Sequence, residues 1–551
     1  MTPKPRQDDG QETQSLVATT TNGSYNSTKV HDGCSSLELT MDEAIERLGY
    51  GRFQLCLFIA TGLCMLADGL EVLLLSFLTL VLRSSTSHWT LTSTETSAIT
   101  ASVFAGAIFG ALALGRLADV FGRKPIFVLT TAMVAGFGLV SGLAPNYWSL
   151  LACRFGVGLG VGGLTVPFVT LSEFLPKSHR GNNLLLIEFF WTAGSMMVVV
   201  LAYFTLGQGD QTTQKQSNDD AEVFWESWRT FVTLCAVPCV FALLWALWFV
   251  PESPRWLMTT KNDPVKALEV LRKAALVNGQ DPYALFPHNA QLKAEHTGNS
   301  EDSDGSSGRF SDLFSPQWRR LTLFLWGTWF GFSFLYYGSV IATTMVFAKN
   351  SQSSAQTSHG YHFDYSALLI SSSAEIVGNA IIVLTVDSLG RIKTQSVSYF
   401  TGGVTILLLC LLATSSHHDQ YRLAMVILAF VTRMLMMMAS CTTWVSTAEI
   451  LPTHIRATGQ SAANALSRLG GFVCPFIVGP SFTLREIGTI MFAIACGTAF
   501  CAMNLPETMG REMGAAHLDF GDSKDDDNTP KKPIIRHQET VDTASTAHSV
   551  V

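Results

Sequence analysis

Two stretches of this chain share one phrase: SEFLPKSHRG, from Ser172 to Gly181, and AEILPTHIRA, from Ala448 to Ala457. Both read Glu-x-Leu-Pro-x-x-x-Arg, and both stand between long apolar runs. The shared residues are Glu173, Leu175, Pro176 and Arg180 in one copy and Glu449, Leu451, Pro452 and Arg456 in the other, 276 positions on. Two further echoes keep the same order. GRLADVFGRK (Gly115–Lys124) is answered by VDSLGRIK (Val386–Lys393) at an offset of 268, and PESPRWL (Pro251–Leu257) by PETMGRE (Pro506–Glu512) at 255. Three echoes in matching order mean two copies of one unit, and duplicated halves that face each other enclose a cavity at their interface.

The composition says where such a unit lives. With 48% hydrophobic and 14% charged residues over 551 positions, the chain is too apolar for ordinary soluble domains. Apolar runs long enough to cross roughly 30 Å of hydrocarbon as helices recur throughout. They predict six spans in the first half, at Phe53–Leu82, Thr96–Leu114, Ile126–Ala144, Ser149–Leu171, Asn182–Leu206 and Arg229–Val250. Six more follow, at Leu321–Phe347, Tyr365–Val386, Thr394–Thr414, Tyr421–Thr447, Gly459–Ser481 and Ile487–Leu505. The expected fold is therefore an all-α membrane protein of twelve transmembrane helices in two pseudo-symmetric six-helix bundles, 49–250 and 321–505. A linker at 251–320 joins them, with polar, disordered tails at 1–48 and 506–551.

Within the linker, DPVKALEVLRKAAL (Asp263–Leu276) starts with an Asp cap and Pro and carries apolar residues at helical spacing. It predicts a short amphipathic helix. No apolar core near Met1 resembles a cleavable signal, so the first span is expected to remain as an anchor. Ten of the eleven cysteines fall inside predicted spans and the other is Cys34, which leaves no disulfide framework or metal-ligand spacing.

Orientation follows from the bias of basic residues. Loops on one side hold only Arg83, Lys215, Lys349, Arg422 and Arg485, whereas Lys and Arg crowd the side shared with the termini. The positive-inside rule then puts both termini in the cytoplasm.

Gly-x-x-x-Asp-x-x-Gly-Arg-Lys (Gly115, Asp119, Gly122, Arg123, Lys124), the twin Glu/Arg loops and PESPRW together resemble the major facilitator superfamily over about residues 45 to 512. The stretches Gly49–Leu78, SEFLP and IEFFWTAG (Ile187–Gly194) resemble its synaptic-vesicle-2-related group of organic ion transporters. The second copy departs from the pattern, with Val383 where the first has Gly115. The resemblance implies a cytoplasmic charge network that latches the outward-facing state. Asp119, Arg123, Glu173, Arg180, Glu252 and Arg255 would form it in one half, and Asp387, Arg391, Glu449, Arg456, Glu507 and Arg511 in the other.

Charges within the spans are costly, about 2.5–3.5 kcal/mol each on insertion scales, so each must face a cavity, find a partner or carry protons. Asp68 and Glu71 sit three residues apart on one face of the first span, a spacing that suits proton coupling or a cationic group. Arg154 and Arg433 hold equivalent places in the fourth and tenth spans and are candidate partners. Arg468, nine residues into the eleventh span, is a fixed bidentate donor for a carboxylate, sulfate or phosphate, or else pairs with Glu375 or Glu188. The segment around it resembles the matching helix of organic anion transporters, which favours an anionic substrate.

Trp191, Tyr336, Tyr337 and Trp444 are candidate cavity walls for a flat organic ligand, since Tyr and Trp join an apolar face to a polar tip. No phosphate-loop motif is present, so direct ATP drive is excluded, and GVGLGVGG (Gly156–Gly163) reads as close helix packing. No cofactor, catalytic constellation or nucleic-acid surface is legible.

The expected protein is a monomeric secondary transporter of a small organic ion, more an anion than a cation or sugar-like solute, in the plasma membrane or a vesicle membrane. It would work by proton coupling or exchange. A rival reading is a transporter-like receptor or trafficking protein without turnover. The topology carries a direct check. Asn22 and Asn26 are sequons in the N-terminal tail, and with that tail in the cytoplasm neither acquires a glycan; a glycosidase-sensitive mass shift abolished by Asn22→Gln and Asn26→Gln would invert the orientation.

Overall fold

A computed structural model of the chain describes residues 37–83, 89, 91–176, 183, 186–206, 227–293, 310–350, 361–415, 420–451, 453–479 and 481–509. Twelve long helices form its body. Spans 1 to 6 are Arg52–Val81, Ser93–Phe121, Arg123–Gly142, Tyr147–Phe174, Glu188–Leu206 and Ser227–Phe249. Spans 7 to 12 are Arg319–Val346, Tyr365–Leu389, Arg391–Ala413, Arg422–Ile450, Thr453–Ile477 and Leu484–Met503. Ten are long and apolar enough by composition to cross a membrane. Spans 7 and 11 are more polar, because the first carries Thr328, Ser333, Tyr336, Ser339 and Thr343, and the second Asn464, Ser467 and Arg468.

Several helices outrun the apolar segments that announce them. Span 2 continues through the Gly115–Phe121 motif, and span 11 begins at Thr453 rather than Gly459. Apolar length reports the hydrocarbon a helix crosses, whereas the helix itself ends where its caps are. Thr92 and Glu95 form a reciprocal capping box at the start of span 2, and Thr483 and Glu486 form its counterpart at span 12. Span 4 is broken at Gly163 and Leu164, just before Pro167, which cannot donate to the ladder.

The duplication is visible in the packing. Span 1 lies against 5 as 7 lies against 11; 2 against 4 as 8 against 10; and 3 against 6 as 9 against 12. The halves meet through two equivalent pairings, 2 with 11 and 5 with 8. Spans 2 and 4 cross with backbones almost touching. A Cβ on Gly158 would stand 2.0 Å from the Val103 carbonyl oxygen, so the glycine-rich run serves close packing as its sequence predicts.

At the end of the bundle where span 1 begins and span 12 finishes, here the near end, the linker folds into short helices. Pro254–Thr259, Pro264–Val277 and Pro282–Leu285 are each preceded by a capping side chain (Ser253, Asp263, Asp281) and open on proline. One expectation is corrected here. Residues 37–48, read as part of a disordered tail, form a strand at Glu38–Leu39 and a helix at Met41–Leu48 that dock on the linker. Thr40 and Glu43 box that helix, and its Met41, Ala44, Ile45 and Leu48 are buried; the whole-tail composition masks this 12-residue signal. At the far end, Ala348–Asn350 pairs antiparallel with Tyr361–Phe363, a minor addition to an all-helical fold.

The twin Gly-Arg motifs have a backbone explanation. Gly122 and Gly390 take φ of +112° and +86°, and a Cβ there would lie 2.4 Å from Glu252 and 2.8 Å from Glu507. Gly122→Ala and Gly390→Ala should each cost about 1–3 kcal/mol, read as a lower melting temperature in detergent. Gly115→Ala, where the added methyl meets open space, is the control and should change little.

Candidate functional site

Mid-membrane, the structure sorts the intramembrane charges into pairs. Arg154 of span 4 meets Glu71 of span 1, with Nη1 to Oε2 at 2.7 Å and both side chains buried. Arg433 of span 10 meets Glu375 of span 8, again at 2.7 Å and buried. The two arginines sit on equivalent spans, yet their acids come from non-equivalent ones. Burying a single such charge is prohibitive, and only a close counter-ion makes it tolerable. Glu71 thus takes Arg154, and Glu375 takes Arg433 rather than Arg468.

Arg468 stands elsewhere. Together with Asp68, Glu71 and Tyr337 it lines a small cavity between the halves, walled by Val72, Leu75, Val103 and Phe104. Positions 68, 71, 72 and 75 follow helical spacing, so one face of span 1 supplies both acids. Asp68 lies within electrostatic reach of Arg468, whose Nε is buried without a hydrogen-bond partner among the described residues. The space enclosed holds little more than about one water.

A second polar chain crosses from one half to the other. Trp191 Nε1 of span 5 donates to the Tyr336 hydroxyl of span 7 at 2.6 Å, and that hydroxyl donates to Glu375 Oε1 at 2.8 Å. Glu188, one turn before Trp191, lies within electrostatic reach of Asp68 and Glu375. Tyr337 packs on Phe104 of span 2, with ring centroids 4.6 Å apart. Trp444 is not brought to this group: it packs edge-on against Trp329, at 4.7 Å, whose indole donates to Thr447.

The halves are joined at and beyond this level, toward the far end. Ser93 and Ser481 hydroxyls are 2.7 Å apart, and Ser97 donates to the Pro475 carbonyl at 2.8 Å. Phe77 packs on Phe363, and Tyr203 on Tyr365. Among the described residues, no hydrogen bond or ion pair joins the two bundles at the near end.

The near-end motifs close instead within each half. Arg391 grips Glu449 with Nε and Nη2 at 3.1 Å each, and Arg123 meets Asp119 at 2.8 Å and Glu173 at 3.5 Å. Glu252 and Glu507 act on backbone rather than on guanidinium. Glu252 accepts from the Arg123 N–H at 2.7 Å, and Glu507 from the Arg391 and Ile392 N–H groups at 2.8 and 3.1 Å. Each therefore caps the helix that begins with the motif arginine, where the helix dipole favours a carboxylate. Sequence spacing gives no hint of this, although a Gly-Arg helix start with a distant acid is a signal to look for. Arg255 forms its ion pair with Asp42, outside the predicted set, while staying within electrostatic reach of Glu173. Arg180 and Arg511 lie outside the described residues, as do the side chains of Asp387 and Arg456.

Twelve helices in two like bundles, with a charged cavity where they meet, define a transporter of the major facilitator type. The comparisons place the chain more closely. Residues 45–520 match the family model for "Sugar (and other) transporter", and the chain belongs to that family. It is 29% identical to the synaptic vesicle 2-related protein of Xenopus laevis, over 87% of this chain and 83% of that one. It is equally 29% identical to organic cation/carnitine transporter 7 of Arabidopsis thaliana, over 86% and 95%. The fold is similar to the inward open conformation of the xylose transporter XylE from E. coli, with TM-score 0.60 and 17% identity over 84% of this chain and 99% of that one.

The buried pairs give a stability prediction. Glu71→Ala leaves Arg154 uncompensated, with its Nε and Nη2 already without hydrogen-bond partners among the described residues, and should cost about 3–5 kcal/mol in thermal unfolding. Removing both charges, as Glu71→Ala with Arg154→Met, should recover most of that loss. Equal destabilisation in the double variant would contradict the pairing.

Proposed function

We propose that this transporter carries a small organic ion by alternating access, and that the preferred cargo is an anion whose charged group docks on Arg468. The observation that carries this reading is the position of Arg468: it lines the cavity between the halves and, among the described residues, forms no ion pair, whereas Arg154 and Arg433 are each held by an acid. A guanidinium offers a carboxylate, sulfate or phosphate two parallel hydrogen bonds. Asp68 beside it would release Arg468 to the cargo when protonated, which couples uptake to a proton. One pH unit then supplies about 1.4 kcal/mol per proton, and the membrane potential about 2.3 kcal/mol per charge per 100 mV.

In this reading the near end faces the cytoplasm, as the basic loops favour, and the structure is a state with its outer side shut. The motif networks around Arg123 and Arg391 then hold the cytoplasmic ends of each bundle rigid as the halves rock. The name of the vesicle relatives favours a vesicle membrane over the plasma membrane.

A second reading has its own observation. Four carboxylates, Asp68, Glu71, Glu188 and Glu375, face three guanidiniums, Arg154, Arg433 and Arg468, so one acid is left for a proton or for a cationic cargo. Organic cation/carnitine transporter 7 bears a name that fits the latter.

Purified protein in liposomes with a pH-sensitive dye inside separates the two. Organic anions, nicotinate-like aromatics included, should acidify the lumen, and Arg468→Ala and Asp68→Asn should each abolish the signal. Flux of organic cations that survives Arg468→Ala would replace the first reading with the second. No solute movement under any pH gradient or voltage would contradict both.

A further inference from the structure

The near end contains a contact that the transport reading does not use. Residues 37–48 precede span 1 and have no place in the twelve-helix repeat, yet they are built into the linker by three kinds of interaction. Glu38–Leu39 forms a parallel ladder with Gln291–Leu292, in which the Gln291 and Lys293 N–H groups donate to the Leu37 and Leu39 carbonyls at 2.9 Å each. The helix Met41–Leu48 buries Ile45 and Leu48 in one apolar core with Leu268, Leu271 and Phe286 of the linker. Asp42 pairs with Arg255, both about a quarter exposed.

The linker is tied in turn to the first bundle. Asn278, just past the linker helix Pro264–Val277, accepts from the Phe53 N–H at 2.8 Å and donates to Gln54 at 3.1 Å, both at the start of span 1. Trp256 Nε1 donates to the Asp119 carbonyl at the end of span 2, at 2.7 Å. Among the described residues, no hydrogen bond or ion pair joins 251–293 to the second bundle.

We propose that residues 37–48 form a strap that completes the fold of the linker's first part, residues 251–293, and fastens it to the first bundle, so that strap, residues 251–293 and spans 1 to 6 move as one body. Arg255 then serves the strap through its ion pair with Asp42, while still within electrostatic reach of Glu173. The core around Ile45 supplies the hold, because a backbone ladder of two residues and one part-exposed ion pair are weak alone. The ion pair sets the register in which the helix docks.

Trypsin cleavage of the full-length protein in lipid nanodiscs tests the strap without any transported solute, since Lys266, Arg272 and Lys273 lie on the linker helix. Ile45→Asp should speed cleavage there about tenfold or more, while hydrogen exchange in spans 2 and 4 stays as in the wild type. Asp42→Arg and Arg255→Asp should each speed it about threefold, and the two together should return it to within about twofold of wild type. Unchanged cleavage in Ile45→Asp would overturn the proposal. A double variant no better protected than the worse single one would overturn the role given to Arg255.

Discussion

Everything in this protein is arranged around the cost of a charge in hydrocarbon. A buried guanidinium without a counter-ion is not sustainable, so Arg154 and Arg433 dictate where acids must lie. Spans 4 and 10, equivalent by the repeat, each carry a buried arginine, but the acids do not follow the repeat. In the first bundle the answer comes from span 1, in the second from span 8. That difference matters because Glu375 also receives the Tyr336 hydroxyl, which holds Trp191 of the opposite half. One buried pair is private to its bundle, and the other sits at the end of a hydrogen-bond chain across the interface. Any relative motion of the bundles has to work against that chain.

The same asymmetry organises the two ends of the molecule. Contacts between the halves lie at mid-membrane and toward the far end, where Ser93 meets Ser481 and Ser97 meets Pro475. At the near end, the hydrogen bonds and ion pairs among the described residues brace each bundle within itself. Glu252 and Glu507 finish the helices that open with Arg123 and Arg391, and those arginines hold Glu173 and Glu449 at the ends of spans 4 and 10. Rigid ends within each half and a detachable seam between halves are what rocking about a central cavity requires.

Much of this was legible in the sequence because the repeat is written twice. The Glu-x-Leu-Pro-x-x-x-Arg phrase, the Gly-Arg phrase and the Pro-Glu phrase fix the two-bundle plan, and the span count follows from apolar length. Asp68, Glu71 and Arg468 were legible as intramembrane charges, but not as three residues lining one cavity. Their partners were not: a lone Arg154 does not say whether it meets Asp68 or Glu71, because that depends on helix rotation and depth, which no spacing encodes. Glu252 read as a gate acid on its side chain alone, and its service to a backbone helix start appears only once Gly122 is seen at positive φ. Trp444 looked like a cavity wall by position, but its neighbour Trp329 claims it. The short strap at residues 37–48 was hidden by the polar composition around it, although Thr40 and Glu43 carry a capping box in plain view.

Alternating access requires the two bundles to separate and rejoin around the charged cavity. Spin labels at positions 93 and 481, on opposite sides of the far-end seam, read it directly by pulsed electron resonance in nanodiscs. The account predicts two populations, one close as in this structure and one longer by about 10 Å or more, with weights that shift with pH or with transported solute. A single close distance under every condition would contradict it.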